Sequence, residues 1–130
     1  MIKRVAPLVS GIRRVIMENR GIVKSGEITG AKVMNPAHEN LGEIAEVVID
    51  KQSGKVNYLV LDFGGLLGFG NKYFAVPWQL FLYDNEDDRF ILNVDKQQLK
   101  NAPGFDKDHW PDFSAPEFST LITGFYTVEK

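Results

Sequence analysis

Two apolar runs separated by one short polar stretch limit what this chain can become. Residues 41–50 and 55–63 lie either side of Asp50-Lys51-Gln52-Ser53-Gly54, and Gly54 can take the left-handed backbone that a three-to-five-residue hairpin loop requires. In the first run, strict alternation places Ile44, Glu46 and Val48 on one face and Ala45, Val47 and Ile49 on the other. Both faces are mostly apolar towards its end, as expected of a central strand. The second run is rich in β-branched and aromatic residues (Val56, Tyr58, Val60, Phe63) and is again apolar on both faces. The consequence is a central β-hairpin.

The remainder reads as further strands, turns and a terminal helix. Residues 30–34 alternate, Ala31 and Val33 opposing Lys32 and Met34, and Asn35-Pro36 ends them. A glycine-rich loop over 64–72 precedes a short strand, 73–76, stopped by Pro77, after which 78–82 form a turn or single helical turn. Asp84-Asn85-Glu86-Asp87-Asp88 is a solvated hairpin tip, and 89–94 return with Phe90, Leu92 and Val94 on one side. Asp95, with Gln98 three residues on, caps one or two helical turns over 96–101, and 106–113 read as ordered loop. Ser114 and Glu117 form a capping box for a helix whose stripe is Phe118, Leu121, Ile122 and Phe125. At least five short strands with hairpin turns describe a small β-barrel better than a sandwich of about seven.

With 130 residues the chain makes one domain and needs no metal or disulfide to fold. The lack of Cys excludes disulfide scaffolds, Cys-ligated metal sites and thiol nucleophiles, and the two histidines, His38 and His109, stand far apart in sequence. This composition leans away from enzymes. The formal net charge is -2, so the chain as a whole has no cationic footprint for nucleic acid. Residues 1–24 nevertheless hold Lys3, Arg4, Arg13, Arg14, Arg20 and Lys24 against the single acid Glu18. Such a segment contacts something anionic or folds back on its own acidic domain. It also carries Val5, Leu8, Ile12, Val15 and Ile16 at helical spacing, a pattern suited to a membrane surface or a partner. Its seven-residue apolar run, broken by Pro7 and Gly11, is no secretory signal, and no stretch is long and apolar enough to cross a bilayer. A cytoplasmic protein is the expectation.

The blocks Asn40-Leu41-Gly42-Glu43-Ile44, Val47-Val48-Ile49-Asp50 and Ser53-Gly54-Lys55-Val56 resemble the opening hairpin of the PRC-barrel family. Further along, Phe63-Gly64-Gly65-Leu66-Leu67-Gly68-Phe69-Gly70, Phe74-Ala75-Val76-Pro77-Trp78, Ala102-Pro103-Gly104-Phe105-Asp106 and Trp110-Pro111-Asp112 follow in the family's order and spacing. The family is named for the cytoplasmic domain of the photosynthetic reaction centre H subunit and includes the C-terminal domain of a ribosome maturation factor. This chain is most similar to the stand-alone prokaryotic members. The resemblance implies a mainly β fold, a small antiparallel PRC-type β-barrel over 28–113. A basic N-terminal extension (1–27) precedes it and a C-terminal helix (114–130) follows. It also implies an assembly or protein-binding module rather than a catalyst.

No residue pattern carries a cofactor or metal. The loop 64–72 misses the phosphate-loop pattern, because Gly65 and Gly70 are followed by Asn71, Lys72 and Tyr73 and open a strand rather than a helix. The acids and imidazole of Asp106-Lys107-Asp108-His109-Trp110-Pro111-Asp112 could ligate a divalent ion, but lack the EF-hand spacing and read as loop hydrogen bonding anchored by Trp110. His38 beside Glu39 reads as a solvated turn, and Trp78 as core. The candidate interaction surface is Gly65, Leu66, Leu67 and Phe69, whose apolar side chains at a loop tip call for a partner, first a second copy in a homodimer. Two alternatives rest on the basic segment: an RNA- or ribosome-associated factor, and a membrane-surface module.

Overall fold

The computed structural model describes residues 21–63, 72–84 and 86–126. Its strands are β1 (Lys32–Met34), β2 (Asn40–Ile49), β3 (Val56–Asp62), β4 (Lys72–Pro77), β5 (Phe81–Asp84), β6 (Arg89–Leu92) and β7 (Phe105–Asp106). Its helices are α1 (Ser25–Ile28), α2 (Lys96–Lys100) and α3 (Pro116–Tyr126). All the strands join one sheet in the order β5-β6-β1-β2-β3-β4-β7.

The central hairpin forms as the sequence predicts. Asp50 Oδ1 accepts from the amides of Gln52 (2.8 Å) and Ser53 (3.1 Å), and Gly54 turns the chain at φ +77°. These backbone bonds, that from Ser53 foremost, hold the Asp50 carboxyl below its usual range. The alternation inside β2 does not survive. Ile44 pairs with Leu61 but Glu46 pairs with Val60, so Ala45 is an extra residue, a β-bulge that resets the parity. Ile44 therefore shares the inner face with Val47, opposite Leu61 and Leu59, while Glu46 and Val48 turn outward. A second bulge comes where Gly42 opposes Val33 and Asn40 opposes Met34, leaving Leu41 as the extra residue. There Gly42 adopts φ +102°, and a Cβ on it would collide with the Asp62 carbonyl oxygen. Only glycine fits both conditions.

The expected antiparallel barrel is corrected to a mixed sheet whose hydrogen-bonded ladder ends at β5 and β7. β1 pairs antiparallel with β2 but parallel with β6. The cause lies between β4 and β5, where Pro77 and a 3₁₀ turn, Trp78–Leu80, bend the chain around a corner without reversing it. β5 thus keeps the direction of β4, and its hairpin partner β6 runs with β1. The sequence marks 78–82 only as a turn, which takes in Phe81 and Leu82 of β5.

Register gives the sheet two buried faces. Leu59 and Leu61 of β3 oppose Val76 and Phe74 of β4 on the inner face, whereas Tyr58 and Val60 oppose Pro77 and Ala75 on the outer one. Leu59, Leu61, Phe74, Val76, Val33, Phe90 and Leu92 are all excluded from solvent. Each such side chain stabilises the fold by roughly 1.5–3 kcal/mol. The outer face is covered by residues after α2: Phe118 of α3 packs edge-on against Tyr58 at 5.5 Å, and Phe113 lies 5.8 Å from the same ring. This second layer explains why β3 is apolar on both faces.

Three terminal details differ from expectation. Ser114 does not build a capping box, because α3 starts at Pro116 and the Ser114 hydroxyl donates to Asp112 Oδ1 (2.6 Å). Leu121 falls at the flank of the helix and is 53% exposed, while Ile122 and Tyr126 are buried beside the partly buried Phe118 and Phe125. The segment 106–113 is not all loop, since Asp106 and the preceding Phe105 form an outermost strand opposite Lys72 and Tyr73. By contrast Asp95 accepts from the Gln98 amide at 2.6 Å and caps α2 as expected.

Candidate interaction surface

Gly65, Leu66, Leu67 and Phe69 lie outside the described residues, which resume on either side at Phe63 and Lys72. On one side Phe63 is buried, its ring edge-on to Phe74 at 5.2 Å. On the other, Lys72 opens β4 opposite Asp106, and Tyr73 follows it opposite Phe105. Gly104 permits this pairing, since a Cβ there would press on the Phe74 ring and the Tyr73 carbonyl oxygen.

Trp110 stands over these two strands. Its indole N–H donates to the Lys107 carbonyl (2.6 Å), and its ring contacts Phe105 at 5.1 Å, Tyr73 at 5.6 Å and Phe113 at 6.0 Å. The aromatic chain continues from Phe113 to Phe118 at 5.3 Å. Tilted and edge-on ring pairs of this kind add about 0.5–1.5 kcal/mol each beyond burial. Trp110 itself remains 42% exposed. The sequence reading of Trp110 as an anchor of the 106–112 loop holds, but its exposed, fixed indole went unread, because pattern alone does not reveal which side of an aromatic cluster faces water.

Two of the three carboxylates of that loop are engaged locally. Asp112 accepts from the hydroxyl and amide of Ser114, which hold its carboxyl below the usual range, and Asp106 lies 3.8 Å from the His109 imidazole. Among the described residues no three His, Asp or Glu side chains stand together where they could hold a metal ion.

The turn carrying His38 and Glu39 is more than a solvated turn. His38 is exposed at φ +67°, but Glu39 Oε1 accepts from Asn35 Nδ2 (2.7 Å) and from the Lys96 amide (3.1 Å). Asn35 is buried and fully engaged: Nδ2 also donates to the Val94 carbonyl (3.2 Å), while Oδ1 accepts from the Ala37 (3.1 Å) and Glu39 (2.9 Å) amides. The signal was present in Asn35-Pro36, since asparagine at the head of a turn bonds the amides that follow it. At the acidic tip, Asp84 is likewise buried rather than solvated and is paired with Arg89 at 3.3 Å.

A twisted mixed sheet with an inner core, a helical outer layer and a fixed aromatic anchor at one end defines a small β-module. A family model for the PRC-barrel domain matches residues 21–99, more than half of the 130-residue chain, and the chain belongs to that family. Its matched region ends inside α2, so β7, Trp110 and α3 all follow it. No curated protein matches the chain. No helix among the described residues is long and apolar enough to cross a membrane.

Proposed function

We propose that this PRC-barrel protein is a non-enzymatic binding or assembly module that associates with a second copy of itself, using Trp110 together with Leu66, Leu67 and Phe69. The observation that carries this reading is the Trp110 indole, held by four contacts yet 42% exposed, beside the strand that receives residues 64–71. Preorganised aromatic side chains of this kind concentrate binding energy, because little side-chain freedom is lost when a partner covers them.

The test is light scattering coupled to size-exclusion chromatography over a concentration series. Wild type is expected at twice the 14.6 kDa chain mass. Trp110→Ala and, separately, Leu67→Asp with Phe69→Asp should shift it towards monomer while far-UV circular dichroism stays unchanged. A wild type that is monomeric throughout refutes self-association, and a dimer untouched by either variant refutes this surface.

A further inference from the structure

A cleft of about 280 Å³ lies between α1 and the β5–β6 hairpin, lined by Glu27, Thr29, Gly30, Ala31, Tyr83 and Asp88. Gly30 turns at φ +86° and ties this wall to the sheet through its amide, bonded to the Ile44 carbonyl at 2.8 Å. The Tyr83 ring is fixed edge-on to Phe90 at 5.0 Å, and its hydroxyl donates to Asp88 (2.9 Å). The two carboxylates of the cleft differ from their neighbours in one respect. Asp84 and Asp87 share Arg89, each at 3.3 Å, whereas no ion pair among the described residues involves Glu27 or Asp88. Burial, and then the Asp88 bond and the charges of Asp88, Glu27 and Asp84, keep the Tyr83 phenol protonated, so a neutral side chain lines the cleft beside its two carboxylates. A cation fits such a place, and a planar guanidinium fits it best, since it bonds carboxylates and lies against aromatic rings at once.

The chain carries such cations in the segment that leads into the cleft wall. Residues 1–20 carry Lys3, Arg4, Arg13, Arg14 and Arg20 against Glu18 alone. The described chain begins at Gly21, passes the fully exposed Ile22, and within three residues reaches Lys24, whose amide donates to the Glu27 carboxylate in the wall of the cleft (2.9 Å). Arg13 and Arg14 are close enough along the chain to return, because seven or eight residues span up to roughly 25 Å. We propose that this cleft is the docking site for the basic segment 1–20 of the same chain, with a guanidinium of the Arg13-Arg14 pair seated between Glu27 and Asp88. Any anionic partner of the segment then competes with the domain for it.

The absence of native cysteine permits a direct test on the full-length chain. A nitroxide is attached at Ser10→Cys, and the loss of amide signal it causes is mapped by NMR. The expected result is attenuation concentrated at Gly30, Ala31 and Asp88, with Gly54 and His109 spared. It should vanish with Arg13→Glu and Arg14→Glu, which leave the described domain untouched, with Glu27→Gln and Asp88→Asn, and at 1 M salt, where charges are screened beyond about 3 Å. Attenuation spread evenly, centred elsewhere, or surviving the arginine reversals overturns the proposal. So does attenuation that appears only when unlabelled spin-tagged protein is mixed with isotope-labelled protein, since the occupant is then another copy.

Discussion

Replacing Asn35 by Ala tests whether the turn between β1 and β2 locks the sheet to α2. Asn35 is buried and makes four side-chain hydrogen bonds, one of them to the Glu39 carboxylate. A neutral bond is worth about 1 kcal/mol net and a charge-assisted one about 1.5–3 kcal/mol. Ala37 is exposed, so its amide regains water when Asn35 is truncated, whereas the Val94 carbonyl belongs to a buried residue and stays unpaired. The Glu39 carboxylate keeps the Lys96 amide. The expected loss is therefore about 2–4 kcal/mol, a large share of the roughly 5–15 kcal/mol that stabilises a domain of this size. Urea titration followed by Trp78 and Trp110 fluorescence measures it. Asn35→Asp sharpens the test, since it keeps the accepting oxygen but sets a second carboxylate against Glu39. Burial and that like charge raise the folded pKa of the introduced carboxyl above its unfolded value of about 3.9. Its stability is then fullest below the unfolded pKa and falls as pH rises through the folded one, so the variant should approach wild type as pH drops. An Asn35→Ala loss under about 1 kcal/mol, or an Asn35→Asp deficit that does not shrink on acidification, refutes the reasoning.

Gly42→Ala should cost about 2 kcal/mol or more in thermal unfolding, because the new Cβ meets the Asp62 carbonyl at a backbone φ of +102°. His38→Gly should raise stability by up to about 1 kcal/mol in the same assay, by relieving φ +67° at an exposed side chain. Tyr126→Phe should be neutral or stabilising by about 1 kcal/mol, since the buried phenol oxygen has no hydrogen-bond partner among the described residues. Burial also raises the Tyr126 pKa, so wild type should lose stability as pH climbs past the unfolded tyrosine value of about 10, and Tyr126→Phe should flatten that alkaline decline in urea midpoint.

The sequence alone determined the features that local chemistry enforces. The 50–54 loop, the Asp95 cap and the apolar character of β3 and β4 follow from residue type and spacing, and the ordered blocks pointed to the PRC-barrel family that the match over residues 21–99 establishes. Only the tertiary structure decided what depends on register and on direction. Nothing in the alternation of 44–49 marks Ala45 as a bulge, because an extra residue is defined by the partner strand. Nothing in Pro77-Trp78 separates a corner from a reversal, and that choice makes β6 parallel to β1. Whether a buried asparagine is satisfied, or an indole half-bare, depends on groups up to 59 residues away, such as the Val94 carbonyl that Asn35 reaches. Local sequence sets the pieces because their bonds close within a few residues; which side chains stay exposed is set by contacts between residues far apart in the chain.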